Sequence, residues 1–144
     1  MEKFKIFIIE DNRDTRKFLE TVLSRDFDVH VSESAMTGIE KIKKHPPDLI
    51  IMDVLLPNVD GYEACTILKN EEKTRNIPII FLSAKNSSSD VAQCLDLGAE
   101  DYMGKPFDYK ELIARIRARL REKSNWRSQP KVIQSGDIRM NIDS

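Results

Sequence analysis

Three short runs of consecutive apolar residues stand out along the chain. They occupy residues 6–9, 49–52 and 79–82. None of them alternates polar with apolar positions, so each is typical of a strand that is buried on both faces, as in a parallel sheet. Two weaker candidates, residues 28–32 and 101–104, bring the number of predicted strands to five.

Between the predicted strands, apolar residues recur at helical spacing. Asp60 with Glu63, and Asp108 with Glu111, have the spacing of an N-cap residue and a reciprocal acid. Five strands alternating with five helices predict an α/β fold, doubly wound, with a parallel sheet covered by helices on both faces. The helical sets are Phe18, Leu19, Val22 and Leu23; Ala35, Ile39 and Ile42; Ala64, Cys65 and Leu68; Val91 and Leu95; and Leu112, Ile113, Ile116 and Leu120.

The composition changes after Arg121. Residues 124–132 are polar, include a proline and lose the helical period, which is typical of a linker. Residues 132–144 then alternate apolar and polar positions like a strand, a turn and a strand, but so short a segment cannot bury a core of its own. We therefore expect one domain over residues 1–122, then a linker and the start of a second domain over residues 123–144.

Charge and cysteine content exclude several classes of protein. Lysine and arginine number 23 against 24 acidic residues, a balance that predicts no large sequence-independent affinity for nucleic acid. Cys65 and Cys94 lie far apart without a CxxC motif, as expected for reduced thiols in the cytoplasm. No apolar stretch approaches the ~20 residues of a membrane span, so we expect a cytoplasmic protein without a membrane partner.

Charged and hydroxyl side chains follow the predicted strands. Glu10 and Asp11 close the first strand, Asp53 the third, Ser83 the fourth and Lys105 the fifth. The carboxyl ends of parallel strands meet at one edge of the sheet, where ligands bind. Any one of these residues is more often a solvated side chain or a helix cap than a functional group. Their coincidence on one edge favours a site.

Three converging carboxylates repel one another, which raises a pKa or calls for a cation. Mg²⁺ suits a few carboxylate ligands and retained waters. A lysine and a hydroxyl beside it would stabilise the oxygens of a transferring phosphoryl group, and a carboxylate can be its nucleophile. A flavin or nucleotide binder is disfavoured because the loop after the first strand is acidic. A substrate-hydrolysing aspartyl phosphatase is disfavoured because Leu55 stands where such enzymes carry a second aspartate.

Over about residues 3–122 the sequence resembles the CheY-like receiver domains of two-component response regulators. The matching segments are IIEDN (8–12), DVLLPNVDG (53–61), FLSA (81–84), GAEDYMGKPF (98–107) and ELIARIRARL (111–120). The resemblance implies a five-stranded parallel sheet in the flavodoxin-like strand order 2-1-3-4-5. It also implies a chain that catalyses only its own phosphorylation and dephosphorylation.

The resemblance assigns a role to each site residue. Asp53 would accept a phosphoryl group from a sensor histidine kinase, with Mg²⁺ held by Glu10, Asp11, Asp53 and the backbone carbonyl of Leu55. Lys105 would bind the phosphoryl group, and the Lys105–Pro106 bond that follows it is expected to be cis. Ser83 and Tyr102 would be the switch pair, with Tyr102 turning from solvent toward the core on activation. In two departures from the family, Glu10 replaces the commoner aspartate and Gly104 replaces a larger residue.

The output is suggested by the end of the chain. Residues 136–144, GDIRMNIDS, resemble the opening strands of the winged-helix domain of OmpR/PhoB-type transcription regulators. That resemblance implies DNA binding through a C-terminal domain. The alternative is a receiver attached to a signalling enzyme, such as a cyclase or kinase.

Regulators of the winged-helix type form two-fold dimers on phosphorylation, through the fourth helix, fifth strand and fifth helix. A two-fold contact must be self-complementary. The expected pairs across the dimer are Asp101 with Arg115 and Asp96 with Arg117. Val91 stands where the family usually has a basic residue, so Glu111 is expected to be unpaired. The full expected interface is Asp96, Glu100, Asp101 and Glu111 opposite Arg115, Arg117 and Arg119, around Leu95 and Ile113.

Overall fold

The computed structural model describes residues 3–128, in which strands and helices alternate strictly. The strands are β1 (Lys5–Ile9), β2 (Asp28–Ser32), β3 (Leu49–Met52), β4 (Ile79–Ser83) and β5 (Asp101–Gly104). The helices are α1 (Arg13–Leu23), α2 (Ala35–Lys44), α3 (Gly61–Lys69), α4 (Ser88–Asp96) and α5 (Tyr109–Ser128). All five strands and all five helices predicted from the sequence are therefore present.

The strands form one parallel sheet in the order β2-β1-β3-β4-β5. The register sets Ile8 beside Ile51, and Ile51 beside Ile80, across the three central strands. These strands are the three apolar runs, and β3 and β4 are buried throughout. The fold class and strand order are confirmed. The order reverses between β1 and β3, which opens a crevice at their carboxyl ends.

Two apolar clusters cover the two faces of the sheet. Alternate residues of each strand point to opposite faces, so Phe7 and Ile9 join one cluster while Ile6 and Ile8 join the other. The first cluster includes buried residues of α2, α3 and α4, and the second includes those of α1 and α5. Each large apolar side chain that is fully buried contributes about 1.5–3 kcal/mol. The strand ends are thereby fixed in place.

Side chains cap most of the helices. The predicted cap at Asp60 is confirmed, since its Oδ1 accepts from Glu63 N at 2.9 Å. Asp108 accepts from Lys110 N at 2.9 Å, but the Glu111 carboxylate binds Arg115 instead of returning to the cap. A complete capping box, which the sequence reading did not identify, lies at Ser87 and Asp90 of α4. It anchors the loop that follows β4.

Helix α5 extends to Ser128, past the boundary that we expected at residue 122. The remaining residues of the expected linker, and the predicted strand–turn–strand over residues 132–144, lie outside the described part of the chain. Within residues 3–128, no helix is both long and apolar enough to cross a membrane.

Two glycines allow close packing where a side chain would not fit. A Cβ on Gly61 would overlap the Asp53 carbonyl oxygen and would lie 2.7 Å from Val54 Cα. Both obstacles are backbone atoms of the segment that carries Asp53. A Cβ on Gly38 would lie 2.8 Å from Ile9 Cδ1, the end of a flexible side chain.

Gly61→Ala should therefore lower the free energy of unfolding by about 1–3 kcal/mol, the usual cost of overpacking. Gly38→Ala is the matched control, because its nearest obstacles are side-chain atoms of Ile9 rather than backbone atoms, and the alanine gains about 1 kcal/mol of helix propensity. Urea unfolding measures the free energy of unfolding of both variants. Equal stability of the two variants would contradict this account of the contact between α3 and β3.

Candidate functional site

Three carboxylates meet at the carboxyl ends of β1 and β3. Glu10, Asp11 and Asp53 each offer an oxygen, and these oxygens lie within 4.8 Å of one another. Glu10 and Asp53 are only 2% and 5% exposed, whereas Asp11 is exposed. The sequence thus correctly predicted that the three acids converge. Two acids without bulk water beside them need a positive charge nearby.

Backbone hydrogen bonds orient the two buried acids. Asn12 N donates to Glu10 Oε2 at 3.1 Å, and Leu55 N donates to Asp53 Oδ1 at 2.9 Å. Asp53 N donates to Ile9 O at 3.2 Å, which extends the pairing of β1 with β3 to the acid itself. Leu55 thus contacts Asp53 through its N–H. The predicted metal contact through the Leu55 carbonyl stays a prediction.

Lys105 bridges the two buried carboxylates. Its Nζ lies 2.7 Å from Glu10 Oε1 and 2.7 Å from Asp53 Oδ2. Burial works against the lysine charge, but the hydrogen bonds with Asp53 and Glu10 prevail, and the pKa of Lys105 is raised. Burial also raises the pKa of Glu10, against the opposing effect of Lys105.

The charge of the ionised site fits a divalent cation. One lysine offsets only one of the three carboxylate charges, and the donor atoms are all oxygens, the ligands that Mg²⁺ prefers. Asp11 is exposed and has no described partner, so it remains available to a cation that keeps several waters. The replacement of the commoner aspartate by Glu10 leaves this donor set intact.

The loop after β5 holds Lys105 beside β4. Lys105 N donates to Ser83 O at 2.9 Å, and the predicted cis Lys105–Pro106 bond is confirmed. Gly104, which precedes the lysine, packs against the side chain of Asn86. A Cβ on Gly104 would overlap Asn86 Nδ2 and would lie 3.3 Å from Asn86 Cγ. The space that a larger residue would fill is therefore taken by the β4–α4 loop.

Ser83 and Tyr102 lie on neighbouring strands next to the acids. Ser83 is fully buried, and its Oγ accepts from Lys85 N at 3.2 Å. The Tyr102 ring packs against Phe81, with the ring centroids 6.4 Å apart. Its hydroxyl is buried and has no hydrogen-bond partner among the described residues. Burial raises the pKa of Tyr102 to about 12.

The inward position of Tyr102 differs from the expected solvent-facing one. Burial of the hydroxyl without a partner costs about 1–3 kcal/mol, and packing of the ring on Phe81 opposes that cost. The sequence cannot determine which of these two effects prevails.

The charged residues predicted for a dimer interface are mostly paired within one chain. Arg115 Nη1 lies 2.8 Å from Asp101 Oδ1, and Arg115 Nη2 lies 2.9 Å from Glu111 Oε2. The expectation of an unpaired Glu111 is therefore wrong. Arg119 also approaches Asp101, at 3.7 Å. We expected Asp101 of one chain to pair with Arg115 of another, but the two residues already form an ion pair within a single chain.

Two of the predicted interface residues have partners on other faces. Arg117 Nη2 lies 3.2 Å from Oδ2 of Asp26, a residue in the loop between α1 and β2. Arg117 is therefore on the flank of α5 away from Asp96. Glu100 Oε1 accepts from Ile79 N at 2.8 Å, and its carboxylate pairs with Lys69 of α3 at 3.2 Å. The predicted pair of Asp96 with Arg117 would require Arg117 to leave Asp26. Asp96 itself is exposed.

A polar network that the sequence reading missed joins α3 to the β4–α4 loop. Lys85 Nζ lies 5.2 Å from the centre of the Tyr62 ring and 3.4 Å from Asp90 Oδ1. The Tyr62 hydroxyl donates to the same Asp90 oxygen at 3.4 Å. The spacing of Ser87 and Asp90 was a signal for the capping half of this network. The contact with Tyr62 depends on tertiary packing and had no local signal.

Comparison with known proteins identifies the family. Residues 6–117 match the family model of the response regulator receiver domain. The response regulator ArlR of Staphylococcus haemolyticus is 38% identical over 140 residues, which cover 96% of this chain and 61% of that protein. The chain thus spans about three fifths of the length of that curated relative.

Two solved structures share both the fold and part of the sequence. A response regulator from Chloroflexus aurantiacus has 32% identity and a TM-score of 0.79, covering 83% of this chain and 99% of its own. The second is the receiver domain of a sensor histidine kinase from Pseudomonas aeruginosa, which has a magnesium ion coordinated in its active-site cleft. It has 30% identity and a TM-score of 0.76, and the match covers 82% of this chain and 98% of its own. The family match, the strand order and the acidic edge agree: this chain belongs to the response regulator receiver domains of two-component systems.

Proposed function

We propose that Asp53 accepts a phosphoryl group from the phosphohistidine of a sensor histidine kinase, in the presence of Mg²⁺. The observation that supports this most is the grouping of Glu10, Asp11 and Asp53 around Lys105, with lysine contacts of 2.7 Å. The magnesium ion in the similar domain from Pseudomonas aeruginosa supports the choice of metal. The Glu10, Asp11 and Asp53 carboxylates would hold the ion, joined by the Leu55 carbonyl.

The transfer needs little from the protein beyond positioning and charge. An Asp53 oxygen bonds to phosphorus as the phosphorus–nitrogen bond of the donor breaks, and the imidazole leaves with the electron pair and takes up a proton. Bound Mg²⁺ would neutralise part of the charge on the phosphoryl oxygens. Lys105 already contacts Asp53 Oδ2, so only a small movement brings its ammonium onto the new phosphoryl group. The chain modifies itself and turns over no other substrate.

We further propose that phosphorylation controls DNA binding and transcription in the cytoplasm. The match to the ArlR regulator covers 96% of the chain, so it continues past the receiver domain into residues 123–144. This supports a second domain of the same kind as the relative's rather than a cyclase or kinase output. Activation would bring two chains together through α4, β5 and α5, where Leu95 is 45% exposed.

Incubation with Mg²⁺ and acetyl phosphate should add one phosphoryl group, and Asp53→Ala should abolish the gain because the nucleophile is lost. Asp14→Ala is the matched control, since Asp14 is an exposed acid outside the cluster. Intact mass and sensitivity to hydroxylamine measure the modification. Full phosphorylation of Asp53→Ala would refute the assignment.

Ser83→Ala should leave phosphorylation intact but weaken the conformational response. The lost hydrogen bond from Ser83 to a charged phosphoryl group is worth about 1.5–3 kcal/mol, which is about a 10–100-fold shift in populations. Amide chemical shifts of β5 and α4, before and after beryllofluoride, measure the response. A response in Ser83→Ala as large as in the wild type would exclude this switch.

Beryllofluoride with Mg²⁺ should convert a monomer into a dimer, and Arg115→Glu should prevent this without affecting phosphorylation. Arg115 lies with Asp101 and Glu111 on the proposed interface, whereas Arg117→Glu alters the other flank, beside Asp26, and should still dimerise. Light scattering across a concentration series measures the mass. An activated wild type that stays monomeric would contradict this mode of output.

A further inference from the structure

Arg16 of α1 contacts the turn that carries two of the three acids. Its Nη1 donates to Glu10 O at 3.0 Å and to Asp11 O at 3.4 Å. Its side chain is only 17% exposed, and Nη2 lies 3.8 Å from the exposed carboxylate of Glu33. The guanidinium is thus held mainly by two consecutive peptide carbonyls.

The contact restrains the backbone between β1 and α1. The single nitrogen Nη1 donates to two successive carbonyls, which limits the rotation of the peptide between them, since the two N–H groups lie in the fixed plane of the guanidinium. The Glu10 and Asp11 side chains branch from this segment, so its conformation sets the directions of both carboxylates. Glu10 is additionally fixed by Lys105, but Asp11 is exposed and has no other described partner. Arg16 therefore matters most for Asp11.

We propose that Arg16 is a positioning residue for Mg²⁺: it holds the β1–α1 turn so that Glu10 and Asp11 converge on Asp53. This inference rests on the proposed function, because it assumes that the acids bind Mg²⁺. Groups that orient metal ligands without touching the metal typically change affinity 10–100-fold when removed.

The sign of the effect separates positioning from simple electrostatics. Arg16 carries a positive charge next to a cation site. If its charge were all that mattered, its removal would reduce repulsion and tighten Mg²⁺ binding. If it positions the ligands, its removal weakens binding in spite of the reduced repulsion.

Arg13 provides a matched control on the same helix. It is an exposed arginine in the first turn of α1 and makes no described hydrogen bond or ion pair. Arg13→Met removes the same charge near the same turn without removing a contact to the carbonyls. Arg16→Lys keeps the charge of Arg16 but replaces the planar guanidinium, whose Nη1 donates to both carbonyls, by an ammonium group.

The test is isothermal titration of Mg²⁺ into the unphosphorylated chain without a phosphodonor. We expect Arg16→Met to bind about 10-fold more weakly than wild type, and Arg16→Lys to lie between the two. Arg13→Met should bind as tightly as wild type or slightly more tightly. The amide shift of Asp11 without metal should change more in Arg16→Met than in Arg13→Met.

Urea unfolding in the presence of a chelator checks that each variant is folded. If Arg16→Met does not fold, Arg16→Lys carries the test, with a smaller loss of affinity expected. Wild-type affinity or tighter binding in the folded Arg16 variant overturns the inference and leaves the proposed function intact. A wild-type chain that binds no Mg²⁺ overturns both.

Discussion

Repulsion among Glu10, Asp11 and Asp53 is the constraint on which this molecule depends. Two unit charges about 4 Å apart repel by about 4 kcal/mol at the effective dielectric of a protein surface. The two apolar clusters hold the strands that carry these acids, so the site cannot relax by moving the acids apart. Lys105 relieves part of the repulsion through contacts of 2.7 Å with both buried carboxylates. A cation or a phosphoryl group that enters the site must rearrange those same contacts.

This constraint connects the site to the rest of the fold. Lys105 N is bonded to Ser83 O, and the Ser83 hydroxyl accepts from Lys85 N. Lys85 in turn pairs with Asp90, the acid of the α4 capping box, and lies over the ring of Tyr62. A continuous series of polar contacts therefore connects Lys105 and Ser83 with the start of α4, so a movement of either residue would be felt there.

The sequence predicted the elements and the converging acids because both depend on local pattern and on the rule that parallel strands end at one edge. It failed where the outcome depends on which neighbour a flexible side chain selects. Arg117, two residues from Arg115 on α5, lies on the opposite flank and pairs with Asp26, and Glu100 precedes β5 but turns to Lys69. The inward position of Tyr102 depends on a balance between ring packing and a buried hydroxyl. Helical spacing separates Arg117 from Arg115, but it contains no information on the partner of Glu100 or on the position of Tyr102.

The packing of Asn86 against Gly104 has a consequence for how such a sequence can diverge. A side chain at residue 104 and the present side chain at residue 86 would occupy the same space. A larger residue at 104 therefore requires the exposed Asn86 side chain to turn away, a smaller residue at 86, or a movement of the loop. Substitutions at the two positions are therefore coupled, because a larger residue at 104 is accepted more readily once residue 86 has become smaller.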